Sequence, residues 1–272
     1  MMRQINFTKM VASGNDFVVI DSKDCDSIRR LGLLARQICD RKYGIGADGL
    51  LIVEKANRAR LKMRIFNPDG TEPDMCGNGI RCVSFWWKAK IKKAKIMSIE
   101  TKAGIIESQV NKDKVKVRMT DPKNIKLDLP IKINKRTIRV NFINTGVPHT
   151  VIFAQGLDNI DVVNIGRQIR NHAHFLPMGT NVDFVQIIDD DNIKIRTYER
   201  GVEDETLACG TGTVAAALIT SYRLMATGCR KLNVYTKSGE VLRVEFNKID
   251  NKFKDVWLAG KARVVYRGVF CA

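Results

Sequence analysis

Nowhere in its 272 residues does this sequence hold the roughly 18 consecutive apolar residues that a helix needs to cross a bilayer. The opening stretch, 1–17, also lacks the basic-then-apolar order of a signal peptide, so a cytoplasmic chain without membrane contact is expected. Histidine is scarce, with only His149, His172 and His174. The seven cysteines, at 25, 39, 76, 82, 209, 229 and 271, are odd in number and irregular in spacing, which excludes a secreted disulfide framework and points to reduced thiols. Cys76 and Cys82, the nearest pair, have five residues between them rather than the two to four of a zinc site, so no metal is expected. Acidic residues are also in short supply: 29 against 46 basic ones leave a formal charge of +17. That balance would favour an anionic partner such as nucleic acid. The lysines, however, are scattered through strand-like stretches at 110–118 and 131–140, without interleaved aromatics or a nucleic-acid motif. A solvated basic surface is expected instead.

What the sequence does contain is a hydrophobic fraction of 44%, enough for a sizeable core, and an internal repeat. With Cys76 placed on Cys209, Asp74-Met75-Cys76-Gly77-Asn78-Gly79 faces Leu207-Ala208-Cys209-Gly210-Thr211-Gly212, and a helix-like run follows each, at 80–90 and 213–226. Thr101-Lys102-Ala103-Gly104 lies 25 residues after the first cysteine and Thr236-Lys237-Ser238-Gly239 lies 27 after the second. Upstream, Gly14-Asn15-Asp16-Phe17 sits 62 residues before Cys76, and Gly146-Val147-Pro148-His149 sits 63 before Cys209. Gly46-Ala47-Asp48 and Asn181-Val182-Asp183 occupy similar places, 28 and 26 residues ahead of their cysteines. Four landmarks in one order argue for two halves of a single design. Each half reads as strand, helix, strands, a Cys-Gly turn, a helix and more strands, with strand content at 17–21, 50–53, 62–66, 95–101, 150–153, 183–188 and 193–198 and helices at 27–41 and 162–171. Short connections make the pairing mostly antiparallel. The change of domain is expected within 121–135, where Pro122, Pro130 and a lysine-rich stretch break the pattern.

A Cys-Gly turn ahead of a helix is a place for chemistry. A thiol of ordinary pKa, about 8.5, is mostly protonated at neutral pH, and only the thiolate is a useful base. The unpaired N–H groups and dipole at a helix start lower that pKa, and flanking glycines let backbone approach an anion. One activated cysteine suggests a nucleophile; two equivalent ones suggest proton traffic in both directions, as inversion of a stereocentre requires. Cys76 and Cys209 are therefore the candidate acid and base, and the other five cysteines are read as inert packing.

The run from Phe66-Asn67-Pro68-Asp69-Gly70 through Asp74-Met75-Cys76-Gly77-Asn78-Gly79 to Arg81-Cys82 closely resembles the first signature of diaminopimelate epimerases. Arg196-Thr197-Tyr198-Glu199-Arg200-Gly201 through Leu207-Ala208-Cys209-Gly210-Thr211-Gly212 resembles the second. With Gly14-Asn15-Asp16-Phe17, Gly44-Ile45-Gly46-Ala47-Asp48 and Gly179-Thr180-Asn181-Val182-Asp183, the resemblance covers nearly the whole chain. It implies an α+β fold of two pseudo-symmetric domains, 1–125 completed by 262–272 and 126–261, each a mostly antiparallel sheet around a central helix, with the active site in the cleft between them. The implied reaction converts LL-2,6-diaminopimelate to meso-diaminopimelate by a two-base Cys76/Cys209 mechanism, without pyridoxal phosphate or any other cofactor, for lysine and peptidoglycan synthesis. Asn15, Asn67, Asn181, Glu199 and Arg200 would bind the distal amino and carboxylate groups; Gly77, Asn78, Gly210 and Thr211 would hold the reacting carboxylate; His149 would support the site. The expected partners are this small-molecule substrate and a second copy of the chain in a homodimer, and no nucleic acid. Family members often carry Asn where this chain has Val147, Gln where it has Gly49, and His-Gly where it has Val11-Ala12, which bears on how the distal groups are held. Proline racemases and hydroxyproline epimerases are also similar, but their first cysteine is usually followed by Gly-His-Gly, and residue 78 here is Asn.

Overall fold

The computed structural model describes residues 4–25, 30–91, 96–250 and 252–271. The chain divides into two compact units, Met1–Val117 with Gly260–Ala272, and Arg118–Ala259. In the first, β1 (Gln4–Ala12), β2 (Asn15–Asp21), α1 (Leu31–Cys39), β3 (Gly49–Glu54), β4 (Leu61–Phe66), α2 (Gly77–Lys90), β5 (Ile96–Thr101), β6 (Gly104–Asn111) and β7 (Lys114–Arg118) follow in order. In the second, β8 (Lys123–Ile133), β9 (Arg136–Asn144), β10 (Pro148–Phe153), α3 (Val162–Arg170), β11 (Asn181–Ile187), β12 (Asn192–Glu199), β13 (Asp204–Thr206), α4 (Gly210–Arg223), β14 (Gly228–Tyr235), β15 (Val241–Ile249) and β16 (Lys252–Lys261) do so. The last strand, β17 (Arg263–Cys271), runs antiparallel to β1, Gln4 opposite Cys271, within the first unit.

Neighbouring strands are mostly antiparallel, and the exceptions have a common cause. β2 runs parallel to β3, β4 to β5, β10 to β11 and β12 to β14. Each of these pairs is bridged by one of the four helices, because strands pointing the same way need a long crossover between them. Within strands, burial alternates with period two, as in β15, where Leu242, Val244 and Phe246 face inward between exposed or half-exposed neighbours.

The helices divide by burial. α1 and α3 bury one face each, Leu34, Ala35 and Ile38 on the first and Val162, Gly166 and Ile169 on the second. In α4 every residue from Gly212 to Ser221 is buried, and β9, β10, β11, β12, β14 and β15 all touch it. α2 is buried from Asn78 to Ser84 and touches β1, β2, β3, β4, β6 and β17. A helix apolar on every side is stable only when enclosed, so each unit is a sheet wrapped around one central helix.

Three readings of the sequence are corrected. The change of domain does not fall within 121–135 or at 125/126: the units change at Val117/Arg118, and β8 is a strand of the second unit paired with β9. Asn124 and Asp128, both at left-handed φ of 53°, take up its register shifts, and Pro130 sits opposite Arg139. The irregularity comes from bulges, where a strand tolerates proline. The central helices begin at Gly77 and Gly210 rather than at 80 and 213, because each cysteine is itself the N-cap. α1 spans Leu31–Cys39 within the expected 27–41, ending where Asp40 turns its carboxylate onto the N–H groups of Lys42 and Tyr43, both at 2.7 Å; residues 26–29 lie outside the described residues.

Candidate active site

Both cysteines are held by the same framework, and the repeat explains how. Arg64 on β4 grips Glu72 through two hydrogen bonds, Nε to Oε1 at 2.7 Å and Nη2 to Oε2 at 3.0 Å, while Lys102 pairs with the same carboxylate at 3.1 Å. In the second unit Arg196 on β12 grips Glu205 at 2.7 and 2.9 Å, and Lys237 pairs with it at 2.7 Å. A further backbone bond anchors each loop just ahead of its cysteine, Ala103 N–H to Asp74 O at 3.3 Å and Ser238 N–H to Leu207 O at 2.9 Å. The Thr-Lys-Ala-Gly and Thr-Lys-Ser-Gly landmarks are therefore the anchors of the two cysteine loops. Bidentate Arg–carboxylate pairs fix direction as well as distance.

Each cysteine sits at the N-cap in extended backbone, φ −141°, ψ 118° for Cys76 and φ −110°, ψ 118° for Cys209. Their surroundings differ. Cys76 Sγ accepts the Gly79 N–H at 3.4 Å at a half-buried position. Cys209 is buried, and its Sγ meets Thr211 Oγ1 at 3.4 Å. Burial pushes the Cys209 thiol well above its ordinary pKa, and the nearby Glu199 and Asp183 carboxylates add to the rise, although the Thr211 hydroxyl opposes it. The expectation that the helix start would lower this thiol's pKa is corrected: loss of solvent and two carboxylates outweigh the Gly212 N–H and the Thr211 hydroxyl, which act to lower it.

Around Cys76, Asn78 Nδ2 donates to Asn15 Oδ1 at 2.5 Å and Asn15 Nδ2 donates to Asp48 Oδ2 at 3.2 Å. The buried Arg81 guanidinium donates to Asn78 Oδ1, to Ser13 Oγ at 2.8 Å and to the Lys261 carbonyl at 3.2 Å. Behind this network, Asp16 is bound by Lys9 at 2.7 Å and Arg41 at 2.9 Å. Burial would raise the Asp16 carboxyl, but these two cations hold it at about 2. Asn67 stands apart from this network: its side chain donates to Thr71 Oγ1 at 3.0 Å and its N–H to Thr71 O at 2.8 Å, closing a turn.

Around Cys209, His149 Nδ1 meets Asp183 Oδ2 at 2.7 Å and His149 Nε2 meets Thr211 Oγ1 at 3.0 Å. Thr197 Oγ1 donates to the other Asp183 oxygen at 2.8 Å. Asn181 spends both ends of its amide on backbone, Nδ2 to Pro148 O at 2.9 Å and Oδ1 from the Arg200 N–H at 2.8 Å. Arg200 Nη1 reaches the Met178 carbonyl at 2.8 Å. Burial raises the neighbouring Glu199 carboxyl. The structure thus brings together Asn15, Cys76, Gly77 and Asn78 in one unit, and His149, Asn181, Glu199, Arg200, Cys209, Gly210 and Thr211 in the other.

Asp183 is the main residue that the sequence did not single out, and a carboxylate inside the otherwise apolar run of β11 was its signal. The repeat also hid it. Parallel pairing sets Phe17 opposite Gly49 and His149 opposite Asn181. With Gly14 matched to Gly146, Gly49 is therefore the counterpart of Asn181, and Leu51, not Asp48, is the counterpart of Asp183. A Cβ on Gly79 would meet Leu51, and one on Gly212 would meet Asp183, which is the same correspondence. Of the five remaining cysteines, Cys25, Cys39 and Cys82 are buried as expected of packing residues; Cys229 and Cys271 are exposed on strands, a correction to that reading. Among the described residues no three His, Cys, Asp or Glu side chains are grouped to hold a metal ion, and no helix is long and apolar enough to cross a membrane.

A family model described as diaminopimelate epimerase matches residues 7–125 and 141–265. The diaminopimelate epimerase of Aquifex aeolicus is 41% identical over 276 residues, covering 97% of each chain, and that of Caldanaerobacter subterraneus is 42% identical over 283 residues, covering 97% of this chain and 98% of its own. Among solved structures, a phenazine biosynthesis protein of the PhzF family from Bacillus anthracis aligns with a TM-score of 0.76 at 18% identity over 100% of both chains. A hydroxyproline epimerase from Agrobacterium vitis aligns with a TM-score of 0.72 at 16% identity, over 99% of this chain and 93% of its own. At such identities the structures speak for the shared α+β fold alone, whereas the family model and the curated relatives run through both cysteine loops: the chain belongs to the diaminopimelate epimerase family.

Proposed function

We propose that this protein interconverts LL-2,6-diaminopimelate and meso-diaminopimelate by a two-base reaction, in which one of Cys76 and Cys209 removes the α-proton and the other returns a proton from the opposite face. The observation that carries this reading is the placement of two thiols as N-caps of two enclosed helices, on loops braced by matching Arg–Glu–Lys clusters. The N–H groups of Gly77, Asn78, Gly210 and Thr211, at the starts of those helices, hold the α-carboxylate and stabilise the carbanion. Glu199 takes the distal ammonium and Arg200 the distal carboxylate. Asn15, Asn67 and Asn181 contact the substrate only by exchanging the hydrogen bonds they now make, and His149 supports Cys209. The product serves lysine and peptidoglycan synthesis, in the cytoplasm and in a homodimer.

The reaction draws on thiols and backbone N–H groups without pyridoxal phosphate or metal. Purified protein treated with chelator and given reductant alone converts LL-diaminopimelate to the meso isomer; activity that appears only on adding pyridoxal phosphate contradicts the reading.

A further inference from the structure

We infer that Arg81 and Asp48 are positioning residues: from opposite ends of one hydrogen-bonded line they fix the side-chain amides of Asn78 and Asn15, so that each amide keeps an N–H for a carboxylate of the substrate. The inference rests on the reading of Asn15 and Asn78 as substrate contacts above. Along the line, the Arg81 guanidinium donates to Asn78 Oδ1, Asn78 Nδ2 donates to Asn15 Oδ1 at 2.5 Å, and Asn15 Nδ2 donates to Asp48 Oδ2 at 3.2 Å.

The ends dictate the middle. A side-chain amide can turn over and exchange oxygen for nitrogen at nearly constant shape, so two amides facing each other could run in either sense. A guanidinium can only donate, however, and an ionised carboxylate can only accept. Arg81 draws the oxygen of Asn78, which sends the Asn78 nitrogen to Asn15. Asp48 draws the nitrogen of Asn15, which sends the Asn15 oxygen to Asn78. The two demands agree, and either end alone suffices to set the sense of the whole line. Its bonds use one hydrogen of each Nδ2 and leave the second for a ligand; an amide turned over would offer carbonyl oxygen there, which suits an ammonium instead.

Both ends are themselves held. Arg81 is closed to solvent and also donates to Ser13 Oγ at 2.8 Å and to Lys261 O at 3.2 Å. Ser13, at left-handed φ of 51°, lies in the turn from which Asn15 opens β2, so Arg81 grips the support of both amides. Asp48 Oδ2 accepts the Asp16 N–H at 3.1 Å and Oδ1 accepts Arg41 Nη2 at 2.7 Å, which fixes the plane of the carboxylate. The line belongs to the first unit alone, because the repeat sets Thr211, Val214 and Val147 at the positions of Asn78, Arg81 and Asn15.

Steady-state turnover of LL-diaminopimelate by the full-length protein tests the line. Since either end suffices, Arg81→Met and Asp48→Ala are each expected to lower kcat/KM by no more than about 10-fold. The double variant is expected to fall about 10-fold below the product of the two single losses. In an Asn15→Ala background, where the line is cut, that excess should vanish, and Arg81→Lys, which still only donates, should keep most of the wild-type kcat/KM. A double variant equal to the product of its parents overturns the inference, as does an excess that survives Asn15→Ala. Neutron diffraction from deuterated wild-type crystals reads the same claim without a substitution in the core: nitrogen of Asn15 on Asp48 and oxygen of Asn78 on Arg81 are expected, and either amide reversed overturns it. A wild type inert toward LL-diaminopimelate overturns the epimerase reading, and the inference with it; a wild type that turns over while the cycle is additive overturns the inference alone.

Discussion

His149 and Asp183 meet at 2.7 Å on adjacent parallel strands, and no solvent reaches either side chain. A buried ionisable pair of this kind is costly unless every polar atom is satisfied, and here Thr197 and Thr211 satisfy the remaining ones. The close approach of α4 makes the pair possible. Gly212, one turn into that helix, lies against Asp183 Oδ1 and His149 Cε1 with no room for a side chain.

Removal of either thiol should stop the reaction. Cys76→Ala and Cys209→Ala should each lower kcat by more than about 100-fold in both directions, with thermal melts showing that the fold persists. Wild-type turnover by either variant would remove the two-base mechanism.

The glycines that follow the cysteines should differ in what they tolerate. Gly212→Ala drives a methyl group into Asp183 and His149, and should destabilise the protein by about 1 to 3 kcal/mol. Gly77→Ala meets nothing within 4 Å, so its stability should stay within about 1 kcal/mol of wild type, while KM rises as the methyl crowds the carboxylate. Chemical denaturation and steady-state kinetics on the two variants separate these outcomes; equal destabilisation by both would contradict the packing described.

Acid should loosen the frame behind Asn15. The Asp16 carboxyl is held at about 2 by Arg41 and Lys9 against the effect of burial, below its unfolded value of about 3.9. A depressed carboxyl stabilises the fold at pH above the unfolded value, and this contribution fades as pH falls through the folded one. Glu72 and Glu205, lowered by their Arg and Lys partners although burial opposes it, act in the same direction. Stability should therefore drop between about pH 4 and pH 2, less steeply in Asp16→Asn than in wild type. An Asp16→Asn profile parallel to wild type would remove Asp16 from this cluster.

Much of the fold was legible because it is repeated. The Cys-Gly turns, the Thr-Lys landmarks and the alternating strands recur in both halves, and each landmark has a mechanical duty: Lys102 and Lys237 bind the glutamates that brace the cysteine loops. Local irregularity was misread where a strand absorbs it, as β8 does at Asn124 and Asp128. The polar line behind Cys209 was the least legible part. His149 and Asp183 are far apart in sequence, and only the parallel register of β10 and β11 brings them together. Repeat matching by spacing placed Asp183 against Asp48, whereas pairing places it against Leu51. The pKa of Cys209 was also beyond the sequence, since burial, Glu199 and Asp183 raise it and outweigh the Gly212 N–H at the helix start.

The reaction itself is tested most directly by turnover of LL-diaminopimelate in heavy water, stopped at low conversion and read by mass spectrometry of substrate and product. Two thiols acting in sequence predict one solvent deuterium at an α-carbon of the meso product, while the unreacted LL isomer remains unlabelled. Meso product free of deuterium, carrying the same proton back on the other face, would contradict the assignment of separate acid and base to Cys76 and Cys209.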